Sequence, residues 1–302
     1  MRITDAAGRI PPRLAVPALT ALACLFAGNH VAARLAFDHG ASVATAVAMR
    51  SGVTALALLV LIGLRDVSLA MPRRTLARAL AVGLLVAIQS YCLYSAVAAI
   101  PVALALLAFN TYPLLFMLLT WALGGGPPEP RALVAVPLAF VGLVLALDVA
   151  GSLGALGARW REIGTGVSWA LAGSAAFAVA LHLTMRHLRD LDGRVRTMLA
   201  MGVTALAVVA FGAAGGGLAL PVDGRGWTGL LLATALYGTA ITVVFLVMPR
   251  LARPSNAAAL NFEPVAAIAL GWAILGQRIE PIQLAGAAVI VGALLLLGSE
   301  RR

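Results

Sequence analysis

A carboxylate inside an apolar stretch is the first place to look for chemistry, and Glu263, in LNFEPV at 260–265, is one. The other eleven acids, Asp5, Asp38, Asp66, Glu129, Asp148, Glu162, Asp190, Asp192, Asp223, Glu280 and Glu300, fall in connectors or near the ends of apolar runs. An ionised carboxylate at mid-membrane costs about 2.5–3.5 kcal/mol on insertion scales unless something compensates it. Three roles fit such a residue: a carrier that exchanges a proton alternately with the two sides, an ionised ligand for a substrate amine, or a fixed bond that holds its helix in register. Arg50, the one arginine deep inside an apolar run, the others lying in connectors or near run ends, is the candidate partner for a buried ion pair. It lies ~12 Å below the outer face and Glu263 ~18 Å below it, at 1.5 Å rise per residue.

Pro113 and Pro264 mark the same depth. A proline inside a helix removes one amide donor and frees the carbonyl four residues earlier, here those of Phe109 and Leu260. The adjacent amides Asn110 and Asn261 can donate to such carbonyls or to a solute. Bent helices with free carbonyls at mid-membrane are a feature of transporter sites, although a rigid kink relieved by packing explains the prolines equally well. The remaining polar residues within apolar runs complete a candidate substrate-binding set: Asn29, His30, Gln89, Tyr94, Tyr112, Trp169, His182 and Tyr237. Gln89 and Tyr94 stand out because amide and phenol are expensive in lipid and can satisfy both ends of an amphipathic solute. His30 and His182 can relay protons near neutral pH, or simply bond a neighbour.

These residues must be held by membrane helices. The 302-residue chain is 62% hydrophobic and 11% charged, with a mean hydropathy of +0.98, which excludes a water-soluble domain. A span needs about 20 apolar residues. Ten runs qualify, at approximately 14–36, 42–64, 76–99, 101–123, 131–149, 163–185, 196–215, 227–249, 254–275 and 281–298. In lipid their backbones must be hydrogen-bonded within each segment, so they are helices and the fold is all-α. There is no lysine, and the 22 basic residues are arginines set mostly in the connectors. Such a pattern sets membrane orientation and speaks against nucleic-acid binding. A cytoplasmic N-terminus places 16 arginines inside and 5 outside, with Arg50 buried, so both termini are expected in the cytoplasm of a bacterial-type inner membrane. Trp121, Trp160, Trp227 and Trp272 lie near span ends, as interfacial aromatic belts require.

Other chemistries find no support in the sequence. Cys24 and Cys92 have no metal-ligand spacing. No zinc-protease pair, serine elbow, P-loop or second deep acid is present. Neither a metal nor a cofactor is expected, and an intramembrane enzyme is the weaker alternative to a transporter.

The chain also repeats itself. GVTALA occurs at 52–57 and at 202–207. The fourth and ninth runs align without gaps at an offset of 151, matching Asn110 with Asn261, Pro113 with Pro264, Trp121 with Trp272, Gly125 with Gly276, Glu129 with Glu280 and Pro130 with Pro281. Lipid solubility does not select those residues. Two halves, 1–150 and 151–302, are therefore expected as five-helix duplicates, the second inverted because five is odd. Inverted repeats give alternating access almost directly, since the two copies can exchange their packing arrangements.

FAGNHVAARLAFDHGASVATAVAMR at 26–50 resembles the opening of the EamA family of the drug/metabolite transporter superfamily. NTYPLLFMLLTWALGG with PPEPRALVAVPLAFVGLVLAL, and NFEPVAAIALGWAILGQRIEPIQLAGAAVIVGALLLL, resemble that family's repeat endings. The resemblance spans essentially the whole chain, departing where Phe26 replaces a frequent Trp and where Gly125 and Gln277 replace a frequent Glu. It implies a ten-helix exporter of small metabolites, with amino-acid exporters, including the aromatic type, well represented. The expected function is secondary export of neutral or aromatic amino acids, with a proton gradient as the candidate driving force. A multidrug, nucleotide-like or lipid-like translocator on the same fold is the alternative. Oligomeric state is not legible.

Overall fold

The computed structural model describes residues 12–65, 67–124, 156–215, 217–247, 262–277 and 280–298, with isolated helical positions between 134 and 145. The described elements are helices: α1 Pro12–Asp38, α2 Val43–Leu64, α3 Arg73–Ala99, α4 Val102–Phe109, α5 Tyr112–Ala122, α6 Leu156–His187, α7 Gly193–Ala214, α8 Gly224–Val247, α9 Glu263–Leu275 and α10 Pro281–Gly298. Among the described residues, seven stretches are long and apolar enough to cross a membrane, α4 and α5 together making one of them, Val102–Ala122. Glu263–Leu275 and Pro281–Ala293 are shorter apolar helices. Apart from those isolated helical positions, the fifth expected span lies outside the described residues, as do residues 254–261 of the ninth.

Local chemistry sets the boundaries. Gly40, at φ 92°, occupies the left-handed region that closes the hairpin after α1. Ser42 Oγ then accepts from Thr45 N at 3.1 Å to cap α2. The Ile100–Pro101 step ends α3, with Ile100 extended at φ −132° as a residue before proline must be. Gly276, at φ 64°, terminates α9. Arg34, a connector arginine by position, stays at the end of its own helix and bonds Asp38 at 2.8 Å. Its Nη1 also donates to the carbonyls of Val97 and Ile100, both at 3.1 Å, satisfying the C-terminus of α3.

Tertiary packing pairs helices of the two halves. The closest partners are α3 with α6, α1 with α8 and α2 with α7, and α9 packs on both α1 and α4. Small residues allow the approach: a Cβ on Gly229 would lie 2.7 Å from the backbone oxygen of Ala32 and nitrogen of Ala36. The same contacts give direction. On the α2–α7 pair Ala44 meets Gly212 while Gly52 meets Ala205, so the two helices, which carry the repeated GVTALA, run antiparallel.

All eight residues of α4 are buried, in the cluster that includes Ala27 and Val31 of α1, Ala266 and Ala267 of α9 and Ile290 of α10. Large apolar side chains lie outside instead, among them Leu56, Val60, Leu64, Leu206 and Phe211. That distribution suits a lipid solvent, in which an apolar perimeter costs nothing. Trp121, Trp227 and Trp272 are on the same exposed perimeter.

Candidate functional site

Asn110 and Thr111 interrupt the fourth span, and α5 restarts at Tyr112 with Pro113 in its first turn. The proline therefore sits where a missing amide is harmless. Asn110 Nδ2 returns to its own helix and donates to the carbonyl of Leu106 at 2.8 Å, so it serves the break and not the carbonyl of Phe109. Thr111 Oγ1 reaches Ser174 Oγ on α6 at 2.9 Å. At the offset of 151, α9 begins at Glu263 with Pro264 in its first turn, as α5 begins at Tyr112 with Pro113 in its own. Asn261 lies outside the described residues.

Sequence position alone pointed from Glu263 to Arg50 as its ion partner; the structure corrects this. Glu263 Oε1 lies 3.4 Å from His30 Nε2, with the side chains 23% and 6% exposed. Charge on that contact requires the imidazole to be protonated. The other ring nitrogen, Nδ1, is buried without a partner. His30 packs edge-on to Tyr94 at 5.5 Å between centroids, and Tyr94, fully buried, donates from its hydroxyl to Asn29 Oδ1 at 2.6 Å. Tyr112 is also within electrostatic range of Glu263. Tyr112 belongs to a three-ring cluster with Phe177 at 4.8 Å and Phe109 at 5.5 Å.

Arg50 is held differently. Its guanidinium carbon lies 4.2 Å from the ring centre of Tyr94 and 4.1 Å from that of Tyr237. Among the described residues it has no carboxylate within ion-pair distance, and its Nε is buried without a hydrogen-bond partner. A desolvated cation–π contact is worth up to about 2 kcal/mol, so two rings offset only part of the several kcal/mol that burying a cation costs. The helix dictates why α2 and not α9 supplies this group: Arg50 faces the bundle, 3% exposed, with Thr54 one turn on donating to its carbonyl at 2.7 Å. Beyond Thr54 a cleft of about 340 Å³ runs between α2 and α8, lined by Ala57, Thr234, Gly238, Thr239 and Thr242 among others. The hydroxyls of Thr54, Thr234 and Thr242 bond backbone carbonyls of their own helices, which leaves their methyl groups to the cleft.

Asn29, His30, Tyr94, Tyr112, Tyr237, Arg50 and Glu263 are thus linked through one chain of contacts. Three other candidates are placed elsewhere. Gln89, five residues from Tyr94 and on another face of α3, accepts from Ser90 at 3.3 Å. Trp169 is 38% exposed and packs on Tyr91 at the perimeter. His182 bridges to Thr120 at 3.3 Å, joining α6 to α5. Phe109 and Phe177, which pack on the Tyr112 ring, had no signal in the sequence, because phenylalanine is ordinary in an apolar helix. Among the described residues no group of three or more His, Cys, Asp or Glu could hold a metal ion.

A solved crystal structure superposes with a TM-score of 0.62 over 94% of this chain and 95% of that one, at 19% identity, a likeness that carries the fold alone. None of the curated proteins matches. Residues 14–147 and 164–299 each match the model of the EamA-like transporter family, and the chain, covered twice by it, belongs to that family.

Proposed function

We propose that this multi-pass membrane transporter of the drug/metabolite type exports neutral or aromatic amino acids across a bacterial-type inner membrane. The observation that carries the reading is Glu263: a carboxylate in the first turn of α9, 3.4 Å from His30 and within electrostatic range of Tyr112. Such a group can take the ammonium of an amino acid while Phe109, Tyr112 and Phe177 receive an apolar or aromatic side chain. The same pair favours proton coupling, since a carboxyl 3.4 Å from an imidazole offers two groups that can exchange a proton as access alternates.

The mechanism we infer is rocking of two inverted five-helix repeats, 1–150 and 151–302, with both termini cytoplasmic. Support comes from the antiparallel run of α2 and α7 and from a packing pattern unchanged when the halves are exchanged, α1 with α8 corresponding to α6 with α3. Proteoliposome counterflow with a panel of labelled amino acids tests the substrate. Saturable exchange of neutral or aromatic members is expected, and absence of exchange for every amino acid would refute the substrate class while leaving the fold intact.

A further inference from the structure

Arg50 differs from every other arginine among the described residues in being almost wholly buried, and what surrounds it is a holder without a counter-ion. Tyr94 and Tyr237 cover the guanidinium from two sides at 4.2 and 4.1 Å, which fixes its orientation and leaves Nε unbonded. Tyr94 is itself fixed by its 2.6 Å bond to Asn29, and Tyr237 by Phe26 and by Met201 Sδ at 3.5 Å. Three more groups next to this assembly are buried without partners: Asn29 Nδ2, His30 Nδ1 and Ser51 Oγ. Asn29 Nδ2 and Ser51 Oγ are donors, so Arg50 is a fixed cation with spare donors nearby and, among the described residues, no carboxylate within ion-pair distance of its guanidinium. Buried polar groups are otherwise almost always bonded, and such a cluster of exceptions calls for a missing partner.

We propose that Arg50 is a binding site for the carboxylate of the transported solute. A guanidinium offers parallel N–H donors in one plane, which match a carboxylate edge-on. One cation neutralises one negative charge, whereas a dianionic phosphate would bring a second into a region where Glu263 is already an acid. The methyl-lined cleft between α2 and α8 begins one turn from Arg50, at Thr54, so a small carboxylate with an apolar body finds both halves of its chemistry on these helices. At 3% exposure the guanidinium is reached only when the helices part, as alternating access requires. The inference rests on the transporter reading; it does not need the solute to carry an amine.

The test is equilibrium binding to the full chain in phosphatidylcholine nanodiscs, with 3-phenylpropionate, phenethylamine and inorganic phosphate as probes. The wild type should bind 3-phenylpropionate saturably, without competition from phosphate. Arg50→Gln should weaken 3-phenylpropionate at least tenfold and leave phenethylamine within twofold. Arg50→Lys keeps the charge without the fork and should weaken it by three- to tenfold; it carries the test if the glutamine variant is not monodisperse. No saturable binding to the wild type, unchanged affinity in Arg50→Lys, or an equal loss for both organic probes would overturn the proposal. So would competition by phosphate, or Arg50-dependent competition by phosphatidylglycerol, which would assign the guanidinium to a lipid headgroup. If 3-phenylpropionate binds through Arg50 while counterflow finds no amino acid exchanged, the amino-acid reading fails and this one stands. If amino acids exchange and Arg50→Gln changes neither exchange nor binding, the reverse holds.

Discussion

Replacing Glu263 by Gln keeps the size of the side chain and removes its charge, and the structure sets how much that should cost. At 3.4 Å a full ion pair with His30 amounts to about 5 kcal/mol of gross attraction at an effective dielectric of 20. Truncating one member of a buried pair costs about 3–5 kcal/mol when the survivor is left as an uncompensated charge. His30 can avoid that outcome by releasing its proton, which leaves a neutral ring and the loss of one polar contact, no more than the ~1–3 kcal/mol of an unsatisfied buried group. The variant should therefore fold, with a stability loss in the lower range, measured by denaturant unfolding in mixed micelles. A double-mutant cycle with His30→Ala should give a coupling of at least ~0.5 kcal/mol, as expected for residues in contact. In proteoliposomes Glu263→Gln should flatten the dependence of counterflow on pH. Normal transport with an unchanged pH profile would remove the proton-carrier role. A loss above ~4 kcal/mol would instead identify a fixed ion pair that merely holds α9 in register.

Two further outcomes test the packing and the loops. Gly229→Ala should destabilise by about 1–3 kcal/mol, because its Cβ would meet backbone atoms of α1 that cannot swing away; Gly202→Ala, with nothing within 4 Å, should be neutral or stabilising by up to ~1 kcal/mol in the same unfolding assay. Asp223 joins the α7–α8 connector to the α1–α2 connector through His39 at 2.7 Å, and the backbone N–H of Gly226, with that histidine, holds its carboxyl below the usual carboxylate range. A depressed folded-state value means stability present above the unfolded carboxylate range and lost as pH falls through the lower folded value. Thermal unfolding between pH 7 and 3 should show this loss, and Asp223→Asn should abolish that part of it.

The stretches of the chain that form helices were legible because each depends on local composition. Apolar length, the Ile100–Pro101 step, Gly40 and the Asn-Pro pair at 110–113 act within a turn or two of themselves, and the described helices follow them. The repeat at an offset of 151 was legible for the same reason: Tyr112 and Glu263 each open a helix whose first turn holds a proline. The partners of the polar residues were not. Depth along the membrane normal, which is what sequence position supplies, put Arg50 near enough to Glu263 to pair with it. It does not supply the rotation of each helix about its axis or which helices adjoin. Packing of α1 against both α8 and α9 turned His30 toward Glu263, and packing of α2 and α3 beside α8 set Arg50 between Tyr94 and Tyr237. By itself, then, the sequence determined a membrane transporter built from repeats with one deep acid and one deep base. Only the tertiary structure decided that the two are held by different partners, because the choice between His30 and Arg50 is made by side-chain packing between helices distant in the chain, α1 with α9 and α2 with α3 and α8.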